Sequence, residues 1–296
     1  MARRHLRPGA WRRLGGFRGA DRPDRRLDRH LDRCGAHHRG RGARRRPGRL
    51  ALLGFYPPGP RATVKVATWN IHRGRGTAGP FRPNRIAEVI AEIRPDLIAL
   101  QEAQHYLRRG TPMLDAARIE DETGLRPLPV VQRPDHQGWR SNLLLARRGA
   151  RLLRGPIGLK LGGWEPRGAI LAELDLGSGP LRVIAAHLSL GPERRRRQAE
   201  MLLQAARGDG SSLPVLLMGD LNEWREGASA LGVLARRFAM PPPLRSFPAF
   251  RPIWALDHIL ADPAAMLRQV AVHDTRLARR ASDHLPLTAR LEMDAA

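Results

Sequence analysis

Apolar positions between residues 63 and 292 follow two rhythms, and each rhythm assigns elements. Ile86, Val89, Ile90 and Ile93 sit at i, i+3, i+4 and i+7, the stripe of an amphipathic helix that Arg94-Pro95-Asp96 stops. The apolar runs on either side, Val64 to Trp69 and Leu97 to Leu100 leading into Glu102, are too short for helices and read as strands. The same reading predicts strands at Asn142 to Ala146, Ala169 to Leu176, Leu181 to Leu188, Pro214 to Met218, Leu256 to Leu260, Val270 to His273 and Leu285 to Leu291. Helices are predicted near Pro112 to Glu122, Pro192 to Ala206 and Gly227 to Phe238. The Gly/Pro-rich stretches 155–168 and 241–252 are expected as surface loops. Strands and helices of both amphipathic kinds point to an α+β fold with helices outside two packed sheets.

Residues 1–60 fall outside this pattern. They show no sustained apolar period and cannot bury enough surface to offset chain entropy. Two segments are therefore expected: an Arg-rich, weakly structured tail over 1–60 and one domain over 61–296. The whole chain has 52 Lys+Arg against 28 Asp+Glu, net +24. The first 60 residues hold 17 Arg and 4 Asp, or +13, which leaves 24 − 13 = +11 for the rest. Only Lys65 and Lys160 are lysines, so the arginines reflect a coding bias as much as a basic surface. The tail reads either as an arm for nucleic acid or as a passive extension. Its lack of aromatic interleaving and of a repeat favours the extension. Leu50 to Phe55 is too short for the apolar region of a signal peptide, and no segment approaches the roughly 18 apolar residues of a membrane span. The single cysteine, Cys34, excludes an intramolecular disulfide and a cysteine metal site. These features predict a cytoplasmic monomer with no transmembrane segment.

The chemistry sits where apolar runs end. TWNIH surrounds Asn70, QE contains Glu102, AHLS contains His187, GDLN holds Asp220 and Asn222, LDH holds Asp257, and SDH holds Asp283 and His284. Hard oxygen donors at strand ends suit Mg²⁺, and Glu102 is the best candidate ligand, with the amide of Asn70 and the carboxylate of Asp283 beside it. Asp220 and Asn222 alternate at the end of an apolar strand, so both can share one face while Leu221 turns away. A carboxylate there can take a proton from water while an amide orients it; an ordinary Asx turn is the plainer reading of the same residues. His187 and His284 stand at strand boundaries, where a histidine is as readily structural. His258 points to the face opposite Asp257 and is left out. The Arg194–Arg197 run opens a helix and is expected as a solvated face.

Together, in this order, the six segments resemble the endonuclease/exonuclease/phosphatase superfamily of metal-dependent phosphoesterases, over roughly residues 63–292. The resemblance implies a four-layer αββα sandwich of the DNase I-like kind, with hydrolysis of a phosphodiester by water and dependence on Mg²⁺, for which Mn²⁺ substitutes. It maps the metal site onto Glu102, Asn70 and Asp283. It makes Asp220 and Asn222 catalytic and assigns Asp257 to hold the imidazole of His284, which stabilises the transition state or exchanges a proton. His187 matches a histidine that assists the leaving group. Asn142 matches a residue facing the phosphate, and Arg167 lies where related sequences read RGA, a guanidinium suited to phosphate. The +11 of residues 61–296 favours a polyanion such as nucleic acid, although two tyrosines and no aromatic-rich basic stripe argue against extensive base stacking. The enzymatic rival is a phospholipid-headgroup or inositol-phosphate phosphoesterase, which an exposed aromatic loop beside the site would favour; Trp164 is the one candidate. The alternative of another class is a non-catalytic Arg-rich nucleic-acid binder.

Overall fold

Strand β1 (Thr63–Asn70) shows how the layers are built. Its even positions Val64 and Val66 belong to one apolar cluster and its odd positions Ala67 and Trp69 to another, because successive side chains of a strand point to opposite faces. Both faces are therefore covered. The computed structural model describes residues 63–293 except 78, 105–111, 129, 131–136, 164–166, 209, 211, 226 and 228; the Arg-rich segment 1–60 with Cys34, and Trp164, lie outside the described residues.

From β1 the chain runs through α1 (Asn84–Ile93), β2 (Leu97–Gln101), α2 (Ala116–Thr123), β3 (Leu125–Pro127) and β4 (Leu143–Arg147). It continues through β5 (Arg151–Lys160), β6 (Gly168–Asp175), β7 (Pro180–His187), α3 (Pro192–Arg207), β8 (Val215–Asp220) and α4 (Ala230–Leu234). The last part holds β9 (Asp257–Asp262), β10 (Leu267–Val272), α5 (Arg276–Ala281) and β11 (Leu287–Glu292). A six-stranded sheet has the order β10-β11-β1-β2-β4-β3, and a five-stranded sheet the order β5-β6-β7-β8-β9. Each sheet contains one parallel pair, β1/β2 and β7/β8, bridged by α1 and α3 respectively, and its other pairs are antiparallel.

One apolar cluster joins the two sheets through Val66, Ala99 and Leu144 on one side and Val183, Met218 and Ile259 on the other. A second covers the outside of the first sheet with α1, α2 and α5, through Ile86, Ile90, Ile119 and Ala278. A third covers the outside of the second sheet with α3 and α4, through Ala199, Leu202 and Leu234. The result is the four-layer αββα sandwich. No helix among the described residues is long and apolar enough to cross a membrane.

Three local expectations change. The first six residues of the Gly/Pro-rich 155–168 segment belong to the edge strand β5, whose register against β6 shifts between Leu152 and Arg154 and again before Ile157. An edge strand with bulges is where Gly and Pro are compatible with a sheet. The helix expected over Gly227 to Phe238 shortens to Ala230–Leu234. Helix α5 was missed because its six residues are too few to show a period; Thr275 caps it by accepting a hydrogen bond from Ala278 N at 3.1 Å.

Candidate active site

The rows of side chains that fill the space between the sheets turn polar at one rim. On β7 the inward row is Leu181, Val183, Ala185, His187; on β8 it is Leu216, Met218, Asp220; on β9, read toward the rim, it is Ala261, Ile259, Asp257. The register pairs His187 with Asp220 and Asp220 with Asp257, so three titratable side chains stand shoulder to shoulder. Gly219 permits the close pairing, since a Cβ there would lie 1.9 Å from Ala186 O. The opposite sheet adds Asn70, the last residue of the inward row Val64, Val66, Thr68.

Asp220 is the hub. Its Oδ2 accepts from Asn70 Nδ2 at 2.8 Å and lies 3.3 Å from His187 Nε2 and 3.9 Å from His284 Nε2. Its Oδ1 accepts from Asn222 N at 2.9 Å. Burial opposes ionisation of this carboxyl, but the charges of His187 and His284 and the bonds from His187 and Asn70 outweigh it and hold Asp220 far below the usual carboxylate range. Asp220 is thus ionised throughout the neutral range.

His284 is held from behind. Its Nδ1 lies 2.8 Å from Asp257 Oδ2, which also accepts from Ser246 Oγ at 2.6 Å. Phe247 packs on the ring, centroid to centroid 4.6 Å. Trp69 Nε1 donates to His284 O at 2.8 Å, and Ser282 Oγ, which donates to Asn70 O at 2.7 Å, accepts from His284 N at 3.2 Å. These bonds fasten the SDH segment to the end of β1. Burial alone would lower the affinity of His284 for a proton. Asp257, by charge and hydrogen bond, and then Asp220 and Asp283, push its pKa up to about 10. His284 is an imidazolium at neutral pH.

Two carboxylates stand at the more open side of the rim. Glu102 directly follows β2 with a φ of 54°, and its Oε2 lies 3.4 Å from Arg73 Nε. Asp283 Oδ1 lies 3.5 Å from His72 Nδ1. Burial raises the proton affinity of Asp283, and the charge of Glu102 raises it further against the lowering effect of His284 and His72. Two acidic oxygens that repel one another are a donor set a hard divalent cation would relieve. Asn70 Oδ1, which accepts from His72 N at 3.0 Å, keeps a second lone pair for the same purpose. The residues fit the group. Asp220, Asp257 and His284 also bring ligand-type atoms within 4.8 Å of one another, but Asp257 Oδ2 is already engaged by His284 Nδ1 and Ser246 Oγ.

Strain gathers at this rim. Glu102, Asn222 (φ 51°), His72, Arg73, Arg140 and Ser141 are non-glycine residues in the left-handed region, an arrangement that costs about 1–3 kcal/mol per residue and concentrates at functional sites.

The remaining expected residues divide. Arg167 Nη1 reaches His187, 2.6 Å from Nε2 and 2.7 Å from Nδ1. Asn222 forms the Asx turn with Asp220, and its Nδ2 donates to Leu188 O at 2.9 Å, so it ties the loops after β7 and β8 together. Asn142 Nδ2 donates to Trp139 O and Arg140 O, both at 3.3 Å, and to Gly168 O at 3.0 Å. That amide nitrogen is committed to backbone beside Arg167. His258 lies on the other face, its Nε2 2.9 Å from Glu223 O, and burial lowers its pKa.

Sequence reasoning missed several supports. Ser246 and Phe247 lie in a segment with no regular period. The expectation of a solvated Arg194–Arg197 face is corrected at Arg195, which is 2% exposed. Its Nε and Nη2 bind Glu223 Oε2 at 3.2 and 3.0 Å, and Nη1 reaches Ser189 O and Leu190 O. Arg195, Gln198, Ala199 and Leu202 form the inward stripe of α3, a spacing that could have revealed it. Breaking such a buried pair by removing one partner typically costs about 3–5 kcal/mol.

The endonuclease/exonuclease/phosphatase family model matches residues 67–284, from the strand bearing Asn70 to His284. The chain belongs to that family. Uncharacterized protein YbhP of Escherichia coli K12 is 29% identical over 253 residues, covering 78% of this chain and 97% of YbhP. An endonuclease/exonuclease/phosphatase structure from Beutenbergia cavernae superposes with a TM-score of 0.61 at 22% identity, over 79% of this chain and 72% of that one. TDP2 of D. rerio, solved with a single-strand DNA product, gives 0.57 at 15% identity, over 77% and 98%. Members of the family are phosphoesterases and generally need a divalent metal.

Proposed function

We propose that this chain hydrolyses phosphodiesters with Mg²⁺ as cofactor, Mn²⁺ substituting. The observation that supports it best is the continuous polar row Asn70–Asp220–His284–Asp257, drawn from both sheets and lying beside the Glu102 and Asp283 carboxylates. Glu102 and Asp283, with Asn70, would hold the metal. When bound, the ion neutralises charge on the phosphoryl group and lowers the pKa of water. Asp220, ionised and oriented by Asn70, takes the proton from the attacking water. His284, charged and held in one orientation by Asp257, faces the oxygens on which negative charge grows in the transition state. His187, with Arg167 against its ring, serves the leaving oxygen, and Asn142 and Asn222 position the loops that carry these groups.

The reaction requires a polyanion or an anionic diester, in keeping with +11 over residues 61–296. Nucleic acid meets that requirement, and the DNA product held by TDP2 is a precedent on the same fold. The test is turnover of bis(4-nitrophenyl) phosphate. Activity is expected to vanish in excess EDTA and to return with Mg²⁺ or Mn²⁺; full activity in the chelator would refute the metal role. Glu102→Gln is expected to raise the Mg²⁺ concentration for half-maximal activity by on the order of tenfold and to weaken Mn²⁺ binding in calorimetry, since only one or two carboxylates anchor such ions. An unchanged metal affinity would remove Glu102 from the ligand set.

A further inference from the structure

Five large apolar side chains are exposed on the loops that leave the catalytic rim. They are Leu190 after β7, Trp224 after β8, and Phe250, Ile253 and Trp254 before β9, with exposures of 62, 46, 65, 45 and 40%. An aromatic path leads from them to the site: Trp224 to Trp254 at 6.2 Å, Trp254 to Phe247 at 6.0 Å, Phe247 to His284 at 4.6 Å. The loop bearing the last three is built rather than slack. Trp254 N donates to Phe247 O at 2.8 Å, and Arg279 Nη1 donates to Ala249 O and Phe250 O at 2.9 and 3.0 Å. Ala249 N donates to Asp283 O at 2.6 Å and Leu285 N to Ser246 O at 2.8 Å, so the loop is fastened to the segment that carries Asp283 and His284. Fixed apolar side chains at 40–65% exposure, clustered at one rim, mark an interaction surface.

Charge and shape select the occupant. Arg225 and Arg251, both exposed, interleave with the apolar residues, the composition of an interfacial membrane surface, where Trp and Phe sit at headgroup depth and arginines meet anionic lipid. A nucleobase fits less well. Leu190 and Ile253 offer no π-face, Trp224 and Trp254 are tilted by 45° rather than parallel, and the Arg225 guanidinium lies 5.1 Å from the Trp224 ring centre, over a face a base would need. We infer that this rim docks on an anionic phospholipid surface, with Trp224, Phe250 and Ile253 entering the interfacial layer, and that the site beside it acts on the phosphodiester of a lipid headgroup. The second half of the inference rests on the hydrolase reading above, and the docking half does not.

The test uses the full chain, with vesicles containing phosphatidylglycerol, in co-sedimentation at high salt, where the charge of residues 1–60 is screened. Wild type is expected to bind, and the Phe250→Ser/Ile253→Ser variant to partition on the order of a hundredfold more weakly, as loss of two inserted side chains implies. The same variant should turn over bis(4-nitrophenyl) phosphate like the wild type, which also reports an intact fold, while losing activity on vesicle phospholipid. Equal vesicle binding by the variant, or loss of single-stranded DNA binding in its place, would overturn the docking surface. Vesicle binding that the variant loses, in a protein inert toward the soluble diester, would support docking and refute the hydrolase reading. Binding without any lipid hydrolysis, in a protein active on the soluble diester, would overturn the lipid as substrate.

Discussion

Asp220→Asn is expected to lower kcat by on the order of 10²- to 10⁴-fold, the range for loss of a positioned general base, with little change in KM. An asparagine oxygen can still accept from Asn70 Nδ2, so the contact between the sheets is kept, while its amide nitrogen loses the bond from Asn222 N and the proton acceptor is gone. The charge also has a second duty. Asp220 is one of the groups that raise His284, so the variant should show a lower His284 pKa in an NMR titration of the metal-free protein. Near wild-type turnover on a verified diester would remove Asp220 from the proton transfer. A lost rate with an unmoved histidine would mean that the 3.9 Å approach of His284 to Asp220 carries no electrostatic coupling.

The way the sandwich is drawn explains why so much of this could be read from residue order. An inter-sheet core demands alternation, and alternation makes the inward residue at the rim end of each strand a marked position: Asn70, His187 and Asp220 close rows that begin with Val or Leu, and Asp257 opens the row Ile259, Ala261. The central helix α1 was legible for the same reason, since Ile86, Val89, Ile90 and Ile93 are all buried. What could not be read depends on contacts between distant segments. Ser246 meets Asp257 across 11 residues, and Trp69 meets His284 across 215. Neither partner carries a local signal of the other. Edge strand β5 was hidden because its Gly and Pro read as loop until a partner strand is known. The aromatic rim was hidden because Trp224 and Trp254 lie 30 residues apart in the chain and come within 6.2 Å only through the β8–β9 register.

That register also sets the balance between the two histidines. His187 stands beside Asp220 within the same sheet, whereas His284 arrives from the opposite sheet and takes its partner, Asp257, from across the interface. A histidine bound only to Asp220 would leave that carboxylate less able to accept a proton. Placing Asp257 behind His284 supplies the imidazolium with its own counter-charge.

His284→Ala is therefore expected to lower kcat by on the order of 10²-fold or more, and Asp257→Asn by less, because the asparagine still packs behind the ring but no longer holds its charge. The double variant should be no slower than His284→Ala alone, since Asp257 acts through that imidazole; additive losses would show that it acts elsewhere. The pair also has a stability signature. A histidine whose folded pKa is raised from 6.5 to about 10 binds its proton more tightly in the native state than in the unfolded chain, so its contribution is fully present below pH 6.5 and is lost as pH rises toward 10. In EDTA-treated protein, denaturant unfolding should show stability falling across that window. Asp257→Asn, which removes the carboxylate 2.8 Å from Nδ1, should flatten the fall and shift its end to lower pH. An unaltered slope in Asp257→Asn would mean that another group titrates there, and that His284 is not the cation placed opposite the phosphoryl oxygens.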